Sequence, residues 1–176
     1  MEVHPLSLRQ RWFYRIWQFI TALTATIHLE ERVLLVRVLS DPQLLLFERM
    51  PRFAQRHSLD VYHALVRAGY TDSHLLQAAL LHDCGKVDEE GRTIPLIYHG
   101  LIVVLQRYAP NLYERAARHG RGLFYPFALH ASHERRSVAY AQAVCSPPEV
   151  VQILRDYAER RPTPFAEALR VADDAN

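Results

Sequence analysis

Between Leu75 and Leu81 the chain reads LLQAALL, apolar almost all the way round a helix, and then passes directly to His82 and Asp83. A helix with no polar face is a buried one. The pair that follows is the difficulty. Burying an ionised carboxylate is costly unless it is paired or binds a metal. Successive helical side chains diverge by about 100°, yet both His82 and Asp83 can reach one ion beside the helix end. Imidazole and carboxylate are standard ligands of first-row divalent metals. The plainer reading is a His–Asp pair that caps the helix, and these two residues alone do not decide between them.

The whole chain suits one domain. It has 176 residues, 49% hydrophobic and 23% charged, with a formal net charge of +2, the balance of an ordinary soluble globular protein. So small a net charge implies neither nucleic acid nor an anionic membrane as partner. The basic pairs Arg135-Arg136 and Arg160-Arg161 read as solvated surface. Cys84 and Cys145 stand far apart, without metal-ligand spacing, which argues against a disulfide framework and for a reducing compartment. Glu2, Arg9, Arg11 and Arg15 interrupt the N-terminus, so it lacks a signal-peptide core, and a cytoplasmic location is expected. The run Leu101 to Leu105, broken from Ile94 to Ile97 by His99 and Gly100, is too short to span a bilayer.

Nearly every segment has helical period, and none demands a strand. The expected fold is all-α. A first helix runs from about Ser7 to Ile27, with Trp12, Ile16, Phe19, Ile20 and Leu23 on one face. Helices follow at Glu30 to Leu39 and Gln43 to Arg49, separated by Asp41-Pro42 as N-cap and first-turn proline. Met50-Pro51 opens a helix closed by Gly69. Thr71-Asp72-Ser73 caps the next, which Gly85 ends, and the polar loop Asp88 to Thr93 leads to a helix over Leu96 to Arg107. Ser146-Pro147-Pro148-Glu149 has capping-box spacing, and Thr163-Pro164 starts the last helix.

Two further residues point at the His-Asp pair. Phe53, Val61, Ala64, Leu65 and Ala68 form a helical stripe that includes His57, whereas His63 falls off it. A lone histidine on an apolar face is usually a satisfied core residue, but this one lies a single helix before the pair. In the last helix Phe165, Ala168, Leu169 and Ala172 define the buried side, which Asp173 continues and Asp174 leaves. An inward carboxylate again needs a cation.

His57, then His82-Asp83 in LLHDCGK, then Asp173 in LRVADDAN resembles the H…HD…D signature of the HD superfamily of metal-dependent phosphohydrolases. The resemblance covers roughly Met50 to Asn176. It implies a compact HD-type helical bundle over 50–176, with extra N-terminal helices (1–49) packed on its core, making a single helical domain over 1–176. It also implies that His57, His82, Asp83 and Asp173 ligate a divalent metal: Mn, Fe, Co, Ni or Zn, or Mg. Many family members hold a second metal through a histidine at the start of a later helix and a His-His pair about six turns on. His133 stands at the first of these positions, but Arg155-Asp156 occupies the second, so a full dinuclear site is not expected. His130 and Asp156 are the partial substitutes on offer.

The reaction implied is hydrolysis of a phosphomonoester or phosphodiester of a nucleotide or related small molecule, the small phosphorylated substrate being the partner. A held metal lowers the pKa of bound water from about 15.7 towards 7 and polarises a phosphoryl oxygen. Asp83 would also orient the attacking water, while Lys86, with Arg56 or Arg136, would neutralise phosphate. Lys86 can equally satisfy the last carbonyls of its helix and the negative end of the helix dipole. His133 would be a general acid, a second-metal ligand or a substrate contact. Cys84, next to the pair, reads as a small buried apolar residue, and nothing recruits His99 or His119, which lie in or beside loops. The alternative of a different class is a catalytically silent HD-fold module that binds a metal or nucleotide for regulation.

Overall fold

The computed structural model describes residues 26–176. The expected helix from Ser7 to Ile27 therefore lies outside the described residues, except for Thr26 and Ile27, which are not helical. Nine α-helices follow: α1 (Leu29–Val38), α2 (Asp41–Arg49), α3 (Arg52–Arg67), α4 (Ser73–Leu81), α5 (Leu96–Tyr108), α6 (Pro110–His119), α7 (Tyr125–Ala143), α8 (Pro148–Ala158) and α9 (Pro164–Asp174). Single 3₁₀ turns occupy Cys84–Lys86 and Gly122–Phe124. Among the described residues there is no strand, only an isolated bridge between Val87 and Thr93 across the polar loop. The all-α expectation holds.

Local chemistry sets most of the boundaries. Asp72 caps α4, its Oδ1 accepting from the backbone N–H groups of His74 (3.0 Å) and Leu75 (2.9 Å), an arrangement worth about 1 kcal/mol. Gly69, at φ +89°, turns the chain away after α3, a left-handed conformation that glycine adopts without steric cost. Two expected caps are different. Ser40, not Asp41, precedes α2, and its N–H donates to Gln43 Oε1 at 2.9 Å; Asp41 is already helical. Pro147 precedes α8, so Ser146 makes no capping box. Its hydroxyl accepts instead from buried Gln43 Nε2 at 3.0 Å.

The central helix is α4. Leu75, Ala78, Ala79, Leu80 and Leu81 are wholly buried, and one continuous core gathers around them Leu35, Phe47, Leu59, Leu65, Leu154 and Leu169 from α1, α2, α3, α8 and α9. Each such leucine contributes about 1.5–3 kcal/mol by leaving water. A smaller core of Ile94, Ile102, Ala116, Phe127 and Leu129 joins α5 and α6 to α7. No helix among the described residues is long and apolar enough to cross a membrane.

The end of α4 departs from expectation in a way that matters. The helix stops at Leu81 rather than Gly85. His82 is its C-cap, and Asp83 takes the bridge conformation (φ −102°, ψ 0°) before the 3₁₀ turn. That turn is pressed against α7. Gly85 N–H donates to Ser137 Oγ (2.9 Å), Ser137 Oγ–H donates to the His82 carbonyl (2.6 Å), and Arg136 Nη1 donates to the Gly85 carbonyl (2.9 Å). The reversal points His82 and Asp83 into the interior between α3, α7 and α9.

Candidate metal centre

Three elements bring the sequence-predicted ligands together: α3 supplies His57, the end of α4 supplies His82 and Asp83, and α9 supplies Asp173. Ligand atoms of His57, His82 and Asp83 all lie within 4.8 Å of one another, a spacing that can hold a metal ion. Asp173 Oδ1 is 2.8 Å from His57 Nε2 and 3.5 Å from His82 Nε2. Asp83 Oδ1 is 3.6 Å from both His82 Nε2 and His133 Nε2, and its Oδ2 is 3.9 Å from His57 Nε2 and 2.5 Å from Lys86 Nζ. Asp173 continues the buried face of α9, while Asp174 is exposed, the phase expected from the sequence.

Hydrogen bonding fixes what these rings present to one another. His82 Nδ1 lies 2.8 Å from the Ala79 carbonyl, which can only accept, so Nδ1 carries the proton. His82 Nε2 is then left buried with no hydrogen-bond partner, facing two carboxylate oxygens. His133 is arranged alike, its Nδ1 donating to the His130 carbonyl and its Nε2 turned to Asp83. Lone pairs thus converge on lone pairs, and a cation reconciles them. His57, His82 and Asp83 fit a divalent ion, with two imidazoles and a carboxylate as donors, and Asp173 stands beside them.

The charges lean the same way. Burial works against charge on His82, but Asp83 and Asp173 outweigh it and push the ring up to about 9. Burial likewise penalises ionised Asp83, yet Lys86, His82, His57 and His133 together hold it well below the usual carboxylate range. Asp173 is also held low, burial being overcome by the His57 hydrogen bond and the charge of nearby His82. In the metal-free protein a proton on His82 therefore stands where a metal would serve.

A cleft of about 330 Å³ opens beside this cluster, with Asp83, Lys86, His133 and Asp173 in its wall. The remaining sequence candidates lie elsewhere. Arg56 is held by Glu31 (2.7 Å) and Asp60 (2.9 Å), tying α3 to α1. Arg136 braces the Gly85 carbonyl and Ser132 Oγ. Neither lines the cleft. Asp156 accepts from Gln152 Nε2 (2.7 Å) and Thr163 Oγ1 (3.2 Å) and faces a separate groove with His74 and Glu149. His130 does line the cleft, 2.8 Å from the Tyr113 hydroxyl, and burial beside His133 lowers it to about 3. His99 proves to be inside α5 rather than in a loop, edge-on to Phe53 with ring centroids 5.1 Å apart. Cys84 is buried, as expected.

Tyr157 was not anticipated. Its hydroxyl donates to Asp173 Oδ2 at 2.5 Å and its ring stands edge-on to His82, so it fixes the carboxylate oxygen that His57 leaves free. The signal was there: Tyr157 completes the Val150, Ile153, Leu154 stripe of α8 at helical spacing. Arg160, read from the sequence as solvated surface, is exposed but forms part of the cleft wall, as do Arg170 and Glu134.

The comparisons add no relative: no family model matches the chain, and no match is found among curated proteins or solved structures.

The two terminal aspartates give a direct check. Asp173→Ala should lower metal affinity by at least about a hundredfold, since losing even an outer partner of a ligand costs 10–100-fold. Asp174→Ala should change it less than about threefold. Metal titrations of the two variants side by side measure the contrast, and equal losses would refute the assignment.

Proposed function

We propose that the protein is a metal-dependent phosphohydrolase of HD type, acting on a phosphomonoester or phosphodiester of a nucleotide or related small molecule. His57, His82, Asp83 and Asp173 hold the ion, a divalent transition metal (Mn, Fe, Co, Ni or Zn) or Mg. The observation that carries this reading is the buried, unpartnered Nε2 of His82 facing two carboxylates. A resident divalent ion supplies Lewis acidity and an activated water at neutral pH.

The chain's own groups then divide the remaining work. Asp83 accepts from Lys86 and keeps that ammonium at the mouth of the cleft, where it faces an incoming phosphate. His133, lowered to about 4 by burial and by Lys86, is neutral near pH 7, and its Nε2 lone pair can accept a hydrogen bond or meet a metal. Glu134, whose carboxyl burial raises above its ordinary value, keeps a proton to higher pH than usual and suits protonation of a leaving oxygen.

Phosphate release from mononucleotides, cyclic nucleotides, dinucleotides and sugar phosphates, measured after reconstitution with each metal and again after chelation, tests the reading. Activity restored by one metal and lost to chelator is expected. A loaded protein that binds one of these ligands tightly without releasing phosphate is instead the regulatory module.

Metal affinity should also depend on pH. With His82 raised to about 9, a metal has to displace its proton at any lower pH. Apparent affinity is then expected to rise about tenfold per pH unit from pH 6 to 8.5, with proton release on binding. Calorimetry in buffers of different ionisation enthalpy reads both quantities. An affinity that stays flat over this range would contradict a metal at His82.

A further inference from the structure

The cleft wall carries three cations, Lys86, Arg160 and Arg170, and only the first was expected from the sequence. Lys86 is engaged by Asp83 at 2.5 Å. Arg170 uses Nη1 on Glu167 (2.6 Å) and lies over the Tyr157 ring, but its Nη2 is buried with no hydrogen-bond partner. A buried donor of a charged group without an acceptor is costly, and an anion in the cleft would remove that cost. Arg160 follows α8 in the left-handed conformation (φ +54°), uncommon for a residue other than glycine or asparagine. Its charge acts on nearby Glu134, but its guanidinium makes no close ion pair or hydrogen bond among the described residues.

The size and lining of the cleft limit what that anion can be. About 330 Å³ is at the small end of ligand pockets, which are ordinarily lined by apolar and aromatic groups. Here the apolar contribution to the wall is Ala131, and its two aromatic rings are already engaged, Tyr113 with His130 and Tyr157 with His82 and Asp173. No phenylalanine or tryptophan lines the wall to stack on a nucleobase. The wall also sets three cations against four carboxylates, Asp83, Glu134, Asp173 and Asp174, and a divalent ion held there adds positive charge beyond that of the His82 proton it displaces.

We infer that Arg160 and Arg170, with Lys86, receive the phosphate of a compact, hydrophilic phosphomonoester, and that this anion binds only when the metal ligands hold their ion. The inference rests on the metal-centre reading above and adds to it two phosphate-binding residues and a substrate class. Arg170 provides the buried donor, Arg160 the outer, water-facing charge.

Calorimetric titration of manganese-loaded and metal-free protein with inorganic phosphate, glycerol phosphate and a cyclic dinucleotide tests it. The loaded protein should bind the first two and the metal-free protein neither, with the cyclic dinucleotide weaker than glycerol phosphate. Arg170→Gln should weaken phosphate binding by about 10- to 100-fold. Arg160→Asn should weaken it about threefold or more while leaving manganese affinity and Tm unchanged, because asparagine tolerates the left-handed backbone. Arg160→Asn still decides should Arg170→Gln fold poorly, and exposed Arg37→Gln on α1 should behave as wild type. Unchanged phosphate affinity in the arginine variants at full manganese occupancy, or preference for the cyclic dinucleotide, overturns the inference and leaves the metal centre standing. A wild-type protein that takes up no manganese overturns both.

Discussion

Asp83→Ala should abolish metal retention and, with it, all metal-dependent hydrolysis. Asp83 is 1% exposed and is the single anion shared by Lys86, His82, His57 and His133. Its removal takes away a metal ligand and leaves an ammonium and an imidazole with a buried counter-charge missing. Removing one partner from a buried ion pair costs about 3–5 kcal/mol, so the metal-free variant should also unfold at lower denaturant. Elemental analysis after reconstitution, phosphate release at saturating metal and a urea titration measure the three effects. Lys86→Ala should separate from it: the metal stays, and kcat/KM is expected to fall by one to two orders of magnitude if Lys86 meets the phosphate as proposed. A metal-replete, active Asp83→Ala protein would remove the basis of the proposed function.

Gly85→Ala should be nearly as damaging, although Gly85 touches no substrate. A Cβ there would lie 2.0 Å from the His133 carbonyl oxygen and 2.6 Å from the Ser137 nitrogen, both backbone atoms of α7 that cannot step aside singly. Relief requires the 3₁₀ turn to lift off the helix, breaking the bonds that Ser137 makes to Gly85 and to the His82 carbonyl. The expected loss is more than about 3 kcal/mol, beyond ordinary overpacking because no flexible side chain can yield. Metal affinity should fall in parallel, as His82 and Asp83 move with the turn. Equilibrium unfolding and metal titration of the variant test this; wild-type values in both would mean that α7 and the turn are not locked together.

Periodicity made much of this legible. The apolar circumference of Leu75 to Leu81 announced a buried helix, and the stripes through His57 and Asp173 placed both on inward faces, because helix phase is a local property of the chain. What depends on meetings between distant segments was not legible. Ser146 has the spacing of a cap, but Gln43, 103 positions away, claims its hydroxyl. Arg56 sits beside His57 in sequence, yet Glu31 of α1 draws it off. Arg160 looks like any exposed arginine until the turn after α8 is placed against the cleft. Arg170 was within reach, since it precedes Asp173 by three positions and shares its side of α9. The end of α4 was misplaced because Gly85 resembles a helix terminator, whereas it is there to let α7 come close.

His57 and Asp173 are 116 positions apart, and this separation has a consequence for kinetics. Contacts so far apart in sequence form late, after the intervening chain has already collapsed. An ion that bridges them stabilises the native state while adding little to a transition state in which the two helices have not yet met. Metal should therefore leave the refolding rate nearly unchanged and slow unfolding, so that a chelator shortens the lifetime of the folded protein more than it hinders its formation.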